Sequence, residues 1–191
     1  MVGSGRQISQ GILVRFASDT EMNLRAAVDL VNSLGISDKL QTLSGLDDFY
    51  HAHGYSGRRD RTHVELDDVR ALRWRLRTIF GASRDEMAGL VNELLSAHSA
   101  RPRLVRHDEL DWHIDAVAED APLAARIGVE TAVAVLDLIR LDEQSRLSGC
   151  ADPSCAAVLF DLTRNRSRRY CGPACSNRAA TAAYRGRRRL A

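Results

Sequence analysis

Through most of residues 18–142 the apolar positions recur every three or four residues, the period of helices with one face to bury. Leu24, Ala27, Val28, Val31 and Leu34 make one stripe. Val69, Leu72, Leu76, Ile79 and Phe80 make a second, and Met87, Leu90, Val91, Leu94 and Leu95 a third. Ser18-Asp-Thr-Glu21, Thr62-His-Val-Glu65 and Ser83-Arg-Asp-Glu86 each fit a capping box, in which a hydroxyl and a carboxylate satisfy backbone donors of the first helical turn. Three helices are therefore expected to begin at these points. Gly35 is placed to end the first, and a shorter helix is expected from Ser44 to about His51, before a Gly54–Gly57 loop.

Pro102 interrupts the helical period. Arg103–His107 and Trp112–Val117 then alternate around Asp108 and Glu109, as a short β-hairpin does. Residues 123–141 are apolar nearly all round, which suits a helix at the centre of a bundle. Glu143–Gly149 is polar and reads as a linker. The predicted architecture is a mainly α domain over residues 1–142 with a small β-hairpin, a linker over 143–149, and a second unit over 150–191.

No run approaches the roughly 20 apolar residues of a membrane span, and Met1–Arg6 lacks the apolar segment of a signal peptide. The expected location is the cytoplasm. Net charge is only +2, but it is unevenly placed. Residues 1–139 carry 16 Lys plus Arg against 21 Asp plus Glu, whereas residues 140–191 carry 11 Arg against 4 acids. A basic tail on an acidic body points to a polyanionic partner.

Cys150, Cys155, Cys171 and Cys175 all fall in that tail. In a reducing compartment, two close pairs separated by 15 residues suit a four-thiolate zinc site better than disulfides, buried thiols or a redox pair. Four thiolates close a tetrahedral sphere and leave no position for water, so one structural Zn²⁺ is expected and not a catalytic one. Ala156–Asp161 and Arg168–Tyr170 read as two strands around a turn, and Pro173 opens a helix that holds Cys175 in its first turn. Knuckle, hairpin and ligand-bearing helix follow the order of a treble-clef finger.

The run Cys150-x4-Cys155-x4-Phe160-Asp161-x6-Arg168-Arg169-Tyr170-Cys171-x3-Cys175-Ser176-Asn177-Arg178, with Tyr184 and Arg185 beyond it, resembles the CGNR zinc finger. Leu30-Val31-Asn32-Ser33-Leu34 and the helices after it resemble the ABATE domain, which precedes that finger in bacterial proteins assigned to stress-induced transcription regulation. The resemblance implies a DNA-binding transcription regulator. Ser176 stands where the signature has Gly, and the close backbone approach that Gly permits is lost there.

The basic residues give a separate argument for nucleic acid. Arg164, Arg166, Arg168 and Arg169 fall on the expected finger hairpin, while Asn177, Arg178, Arg185, Arg187, Arg188 and Arg189 fall on the last helix. Arg178, Arg185 and Arg188 share one face, and Ala179, Ala182, Ala183 and Gly186 offer an opposite, small face to pack on the hairpin. Most of these arginines are assigned to phosphate, and Asn177 to adenine or to a cap. A competing role is a finger that docks a protein partner through acidic side chains. The N-terminal domain is expected to sense a small molecule or to hold a homodimer, since one finger spans few base pairs.

No Ser-His-Asp elbow, phosphate loop or HExxH motif is present, so no enzyme is predicted. His51 and His53 are two apart on a helix and do not converge. His107 and His113 read as ordinary hairpin residues, Trp74 and Trp112 as core or its edge, and Arg70, Arg73 and Arg77 as a solvated face.

Overall fold

The computed structural model describes residues 16–34, 38–106 and 112–189. Met1–Arg6, the expected stop at Gly35, and His107, Asp108 and Glu109 of the hairpin turn lie outside them. The described helices are α1 (Ser18–Asn32), α2 (Leu43–Ala52), α3 (His63–Gly81), α4 (Arg84–Ala97), α5 (Leu123–Arg140) and α6 (Pro173–Arg189). Two antiparallel pairs join them, β1 (Arg103–Val105) with β2 (His113–Asp115) and β3 (Leu147–Gly149) with β4 (Val158–Phe160).

α5 is the hub, as its all-round apolar sequence requires, with α1, α3 and α4 packed about it. Leu123, Ile127, Val129, Ala132, Val135 and Leu138 are buried on it, facing Leu24 and Leu30 of α1, Leu72 and Leu76 of α3, and Val91 and Leu94 of α4.

The helix starts differ from one another. Glu86 accepts the Ser83 N–H at 3.0 Å, as the expected box requires. Thr62 accepts the Glu65 N–H at 3.2 Å, but the Glu65 carboxylate turns back to the N–H groups of Asp60 and Arg61, each at 3.0 Å, and orders the preceding loop instead. The box at Ser18 does not form: Ala17 is the cap, Ser18 is already helical, and Glu21 pairs with Arg25 one turn on at 2.7 Å. Between α2 and α3, Gly54 and Gly57 take φ of +66° and +78°, conformations that glycine adopts without strain.

Four further expectations are corrected. Residues 143–149 are not a linker: they form a 3-10 turn over Gln144–Arg146 and then β3, with Glu143, Arg146 and Leu147 buried. The partner of β4 is β3 and not Arg168–Tyr170, because the Asp161 carboxylate accepts the N–H groups of Thr163 (2.7 Å) and Arg168 (2.8 Å) and closes 161–168 into a loop. Trp74 and Trp112 are 62% and 61% exposed, on the outer faces of α3 and the hairpin. Arg73 is buried in a bidentate pair with Asp38 at 2.8 and 2.9 Å, which holds that carboxyl below the usual range, while Arg77 donates to the carbonyls of Ala156 and of Val31 (3.3 Å). At Arg73 and Arg77 that helix face is an attachment surface, whereas Arg70 stays exposed beside Asp67 at 3.3 Å, as a solvated face would.

The second strand pair belongs to the same core as the helices. Leu147, Val158 and Phe160 join it, with α3 against β3 and α1 against β4. Asn32, the last residue of α1, completes the joint: its side chain donates to the Val158 carbonyl and accepts the Val158 N–H, both at 2.8 Å, as a neighbouring strand would.

Candidate metal centre and the arginines around it

The β3–β4 pair carries the first two cysteines at its tip. Cys150 follows β3 directly, its N–H bonded to the Ala157 carbonyl at 2.8 Å, and the chain turns through Asp152 to Cys155, whose N–H bonds the Asp152 carbonyl at 2.9 Å. Cys171 and Cys175 come from the irregular segment after the 161–168 loop and from the first turn of α6. Cys175 is buried there, at the positive end of the helix, where a thiolate is favoured.

All four sulfurs lie within 4.8 Å of one another. Cys155 Sγ is 3.7 Å from Cys171 Sγ, which is 3.5 Å from Cys175 Sγ. Zinc–sulfur bonds of about 2.3 Å place tetrahedral sulfurs about 3.8 Å apart, so the donor set fits one Zn²⁺. The thiols share their protons unevenly. Burial pushes Cys150 up, but the N–H groups of Asp152 and Cys171 and its neighbouring thiols outweigh it and bring the group down to about 7. Burial, reinforced by the other thiols, pushes Cys175 well up. A dication replaces those shared protons and removes the conflict.

The shell around the sulfurs explains one signature residue. Arg178 Nη2 donates to Cys175 Sγ at 3.0 Å and Nε to Asp152 Oδ2 at 2.7 Å, while Asp152 Oδ1 accepts the Ser154 N–H (3.0 Å) and hydroxyl (2.8 Å). The Ser154 N–H and hydroxyl together with Arg178 hold Asp152 down to about 2. Arg178 thus ties the knuckle to α6 and orients a metal ligand. Ser176 is accommodated: it is helical, and its hydroxyl bonds the Pro173 carbonyl at 3.1 Å, so no positive φ is needed at the position where the signature has Gly.

The remaining basic residues divide into two groups. Arg166 pairs with the buried Glu143 at 2.7 Å, and Arg168 donates to the Tyr170 and Cys171 carbonyls at 3.3 and 2.8 Å. Arg146, 2.5 Å from Glu143, also donates to the carbonyls of Asp161 (2.9 Å) and Thr163 (2.8 Å), fastening the same loop to the body. Arg166, Arg168 and Arg178 are therefore committed to the fold. Arg164, Arg169, Arg185, Arg187 and Arg188 are exposed and form no ion pair among the described residues, and Asn177 is exposed beside them. Arg189 closes α6, its side chain outside the described set. The expected packing of Ala182, Ala183 and Gly186 on the hairpin does not occur: from Thr181 to Arg188 the helix is exposed on every side.

A family model described as "ABATE: Putative stress-induced transcription regulator" matches residues 24–141, and one for the CGNR zinc finger matches residues 146–188. The chain belongs to the ABATE family. No curated protein matches it. The ABATE match covers the helical body, and the finger match opens at Arg146, so it includes β3 and the arginine that grips the 161–168 loop. Sequence reading assigned neither Asn32 nor Asp152 a role. Their signals were present, an Asn ending the first apolar stripe in the ABATE motif and an Asp two residues after the first zinc cysteine. No described helix is long and apolar enough to cross a membrane.

Proposed function

We propose that the protein is a zinc-dependent, DNA-binding transcription regulator of the cytoplasm, a binding protein and not an enzyme. The observation that carries this reading is the free half of α6. It extends from the zinc centre with Arg185, Arg187 and Arg188 unpaired by any described acid, and Arg164 and Arg169 are exposed elsewhere on the finger. A positively charged helix anchored at one end suits a polyanion, and arginine suits its phosphates. Zinc acts by fixing the anchored end, through Cys175 and Arg178. In this reading the ABATE body is the responsive half, sensing a stress-linked small molecule, and a homodimer supplies the second finger that a long DNA site requires.

Fluorescence anisotropy of the zinc-loaded chain on random duplex DNA at two salt concentrations tests the proposal. Binding should fall steeply with salt. The Arg185→Gln, Arg187→Gln, Arg188→Gln triple variant should lower the slope of log K against log salt by up to about 3, since each phosphate contact contributes about 0.9. Absence of binding at low salt overturns it and turns attention to an acidic protein partner.

A further inference from the structure

A cavity of about 120 Å³ opens between the start of α1, the Gly54–Ser56 loop, β2 and the first half of α5. Four carboxylates line it, Asp19, Asp115, Glu119 and Glu130, against a single arginine, Arg126. That arginine is already occupied. Its guanidinium donates to the carbonyls of Ala121 (3.2 Å), Ser56 and Arg58, which pins the loop to α5 and leaves few of its N–H groups for a ligand.

Two polar groups on the wall lack partners. Tyr55 Oη is shielded from solvent and has no hydrogen-bond partner, and the half-buried Glu130 carboxyl accepts no hydrogen bond from a described residue. Burial pushes Glu130 up to about 7, with Arg126 pulling it down and Asp115 pushing it further up. Leaving a solvent-shielded hydroxyl such as that of Tyr55 unsatisfied costs roughly 1–3 kcal/mol, a cost that a matching ligand recovers. Met22, Ile114 and Val117 add an apolar side to the same wall.

We infer that this cavity binds a small organic cation, an amine with a short apolar tail, with Glu130 as its counter-ion and Tyr55 as a hydrogen-bond partner. An anion would meet four carboxylates and an arginine turned to the backbone. A cation meets a carboxylate that ionises as it enters and a hydroxyl free to accept its N–H. A cavity near 150 Å³ holds benzene, so this smaller one suits a ligand of about four to six non-hydrogen atoms. The inference rests on the ABATE body as the sensing half of the regulator, and binding is read on the protein alone, so its failure and that of the DNA reading are separate results.

The test is an NMR titration of the ¹⁵N-labelled, zinc-loaded chain with n-butylamine, n-butanol and butyrate at pH 6 and pH 8. The amine should give saturable shifts at Tyr55, Ile114 and the amides around Glu130, and bind at least tenfold more tightly than the other two probes. Its affinity should rise about tenfold from pH 6 to pH 8, following ionisation of a carboxyl near 7. Asp19, His53, Tyr55, His113, Asp115, Glu119 and Arg126 also face the cavity, so Glu130→Gln assigns the pH step: it should abolish that step and weaken binding. Tyr55→Phe should weaken binding and keep the step. Equal response to the three probes, no response into the tens of millimolar, or a pH step that survives Glu130→Gln overturns the inference.

Discussion

In the helical body the groups excluded from solvent are mainly apolar, Leu24, Leu30, Leu76, Ile127 and Leu138 among them, beside a few paired charges such as Arg73; in the zinc unit, around the knuckle and the loop, they include Asp152, Asp161 and Cys175. The first set is stabilised by removing apolar area from water, which depends weakly on pH and not at all on metal. The second is a group of charges and thiols that is favourable only when each one is paired. A helical body of this size can fold on its own core, whereas a knuckle of six residues needs an ion at its centre.

Removing the ion should break the comparison most severely. Cys155→Ser, or a strong chelator, should cost on the order of 10 kcal/mol of local folding energy, lose zinc, and reduce helical circular dichroism by about the content of α6. The helices around α5 should persist in a separate thermal transition. One tightly held equivalent of zinc in the variant would overturn the four-thiolate assignment.

Asn32→Ala should cost about 2–4 kcal/mol, because it strands both backbone groups of Val158 at the joint between the two regions. A urea midpoint equal to that of the parent protein would show the joint held by apolar packing alone.

Glu130→Gln probes the most strongly raised carboxyl among the described residues of the body. Its folded value, about 7, lies above the unfolded one, so the folded state binds the proton more tightly and wild-type stability declines as pH rises from about 4.5 through 7. The variant should be more stable than the parent at pH 8, by on the order of 1–3 kcal/mol, and the gap should close below pH 4.5. Melting curves at three pH values decide it.

The smallest effect on stability belongs to the free half of α6. The Arg185, Arg187 and Arg188 triple variant should melt within about 0.5 kcal/mol of the parent while losing DNA affinity, since those side chains touch nothing that folding needs. A large loss of stability would mean that this half of the helix is packed.

The sequence made the helical period, the central α5 and the zinc ligands readable because each rests on local spacing: 3.6 residues per turn, or two cysteines per tight turn. It did not make β3 readable. Three residues beginning with Leu147 carry no alternation, and they are a strand only because β4 returns beside them. Nor did it separate the arginines. Arg178 and Arg185 share a helix face, yet one bonds a zinc ligand and the other faces solvent, a difference set by Asp152 far back in the chain. Arg73 looked solvated for the same reason, its partner Asp38 lying 35 residues away.

The side chain of Asn32 bears on how this protein can be rearranged. It serves as a missing strand, and with Arg77, which the Val31 carbonyl holds, it makes a socket that the Ala156–Val158 backbone fills. The finger is therefore not a cassette. Cut away before β3, the body would expose that socket and the apolar patch under Leu147 and Phe160, and the excised finger would carry the matching patch into water. A chimera that grafts a foreign finger must carry its own plug for the socket, and one that lacks it should aggregate before its DNA preference can be read.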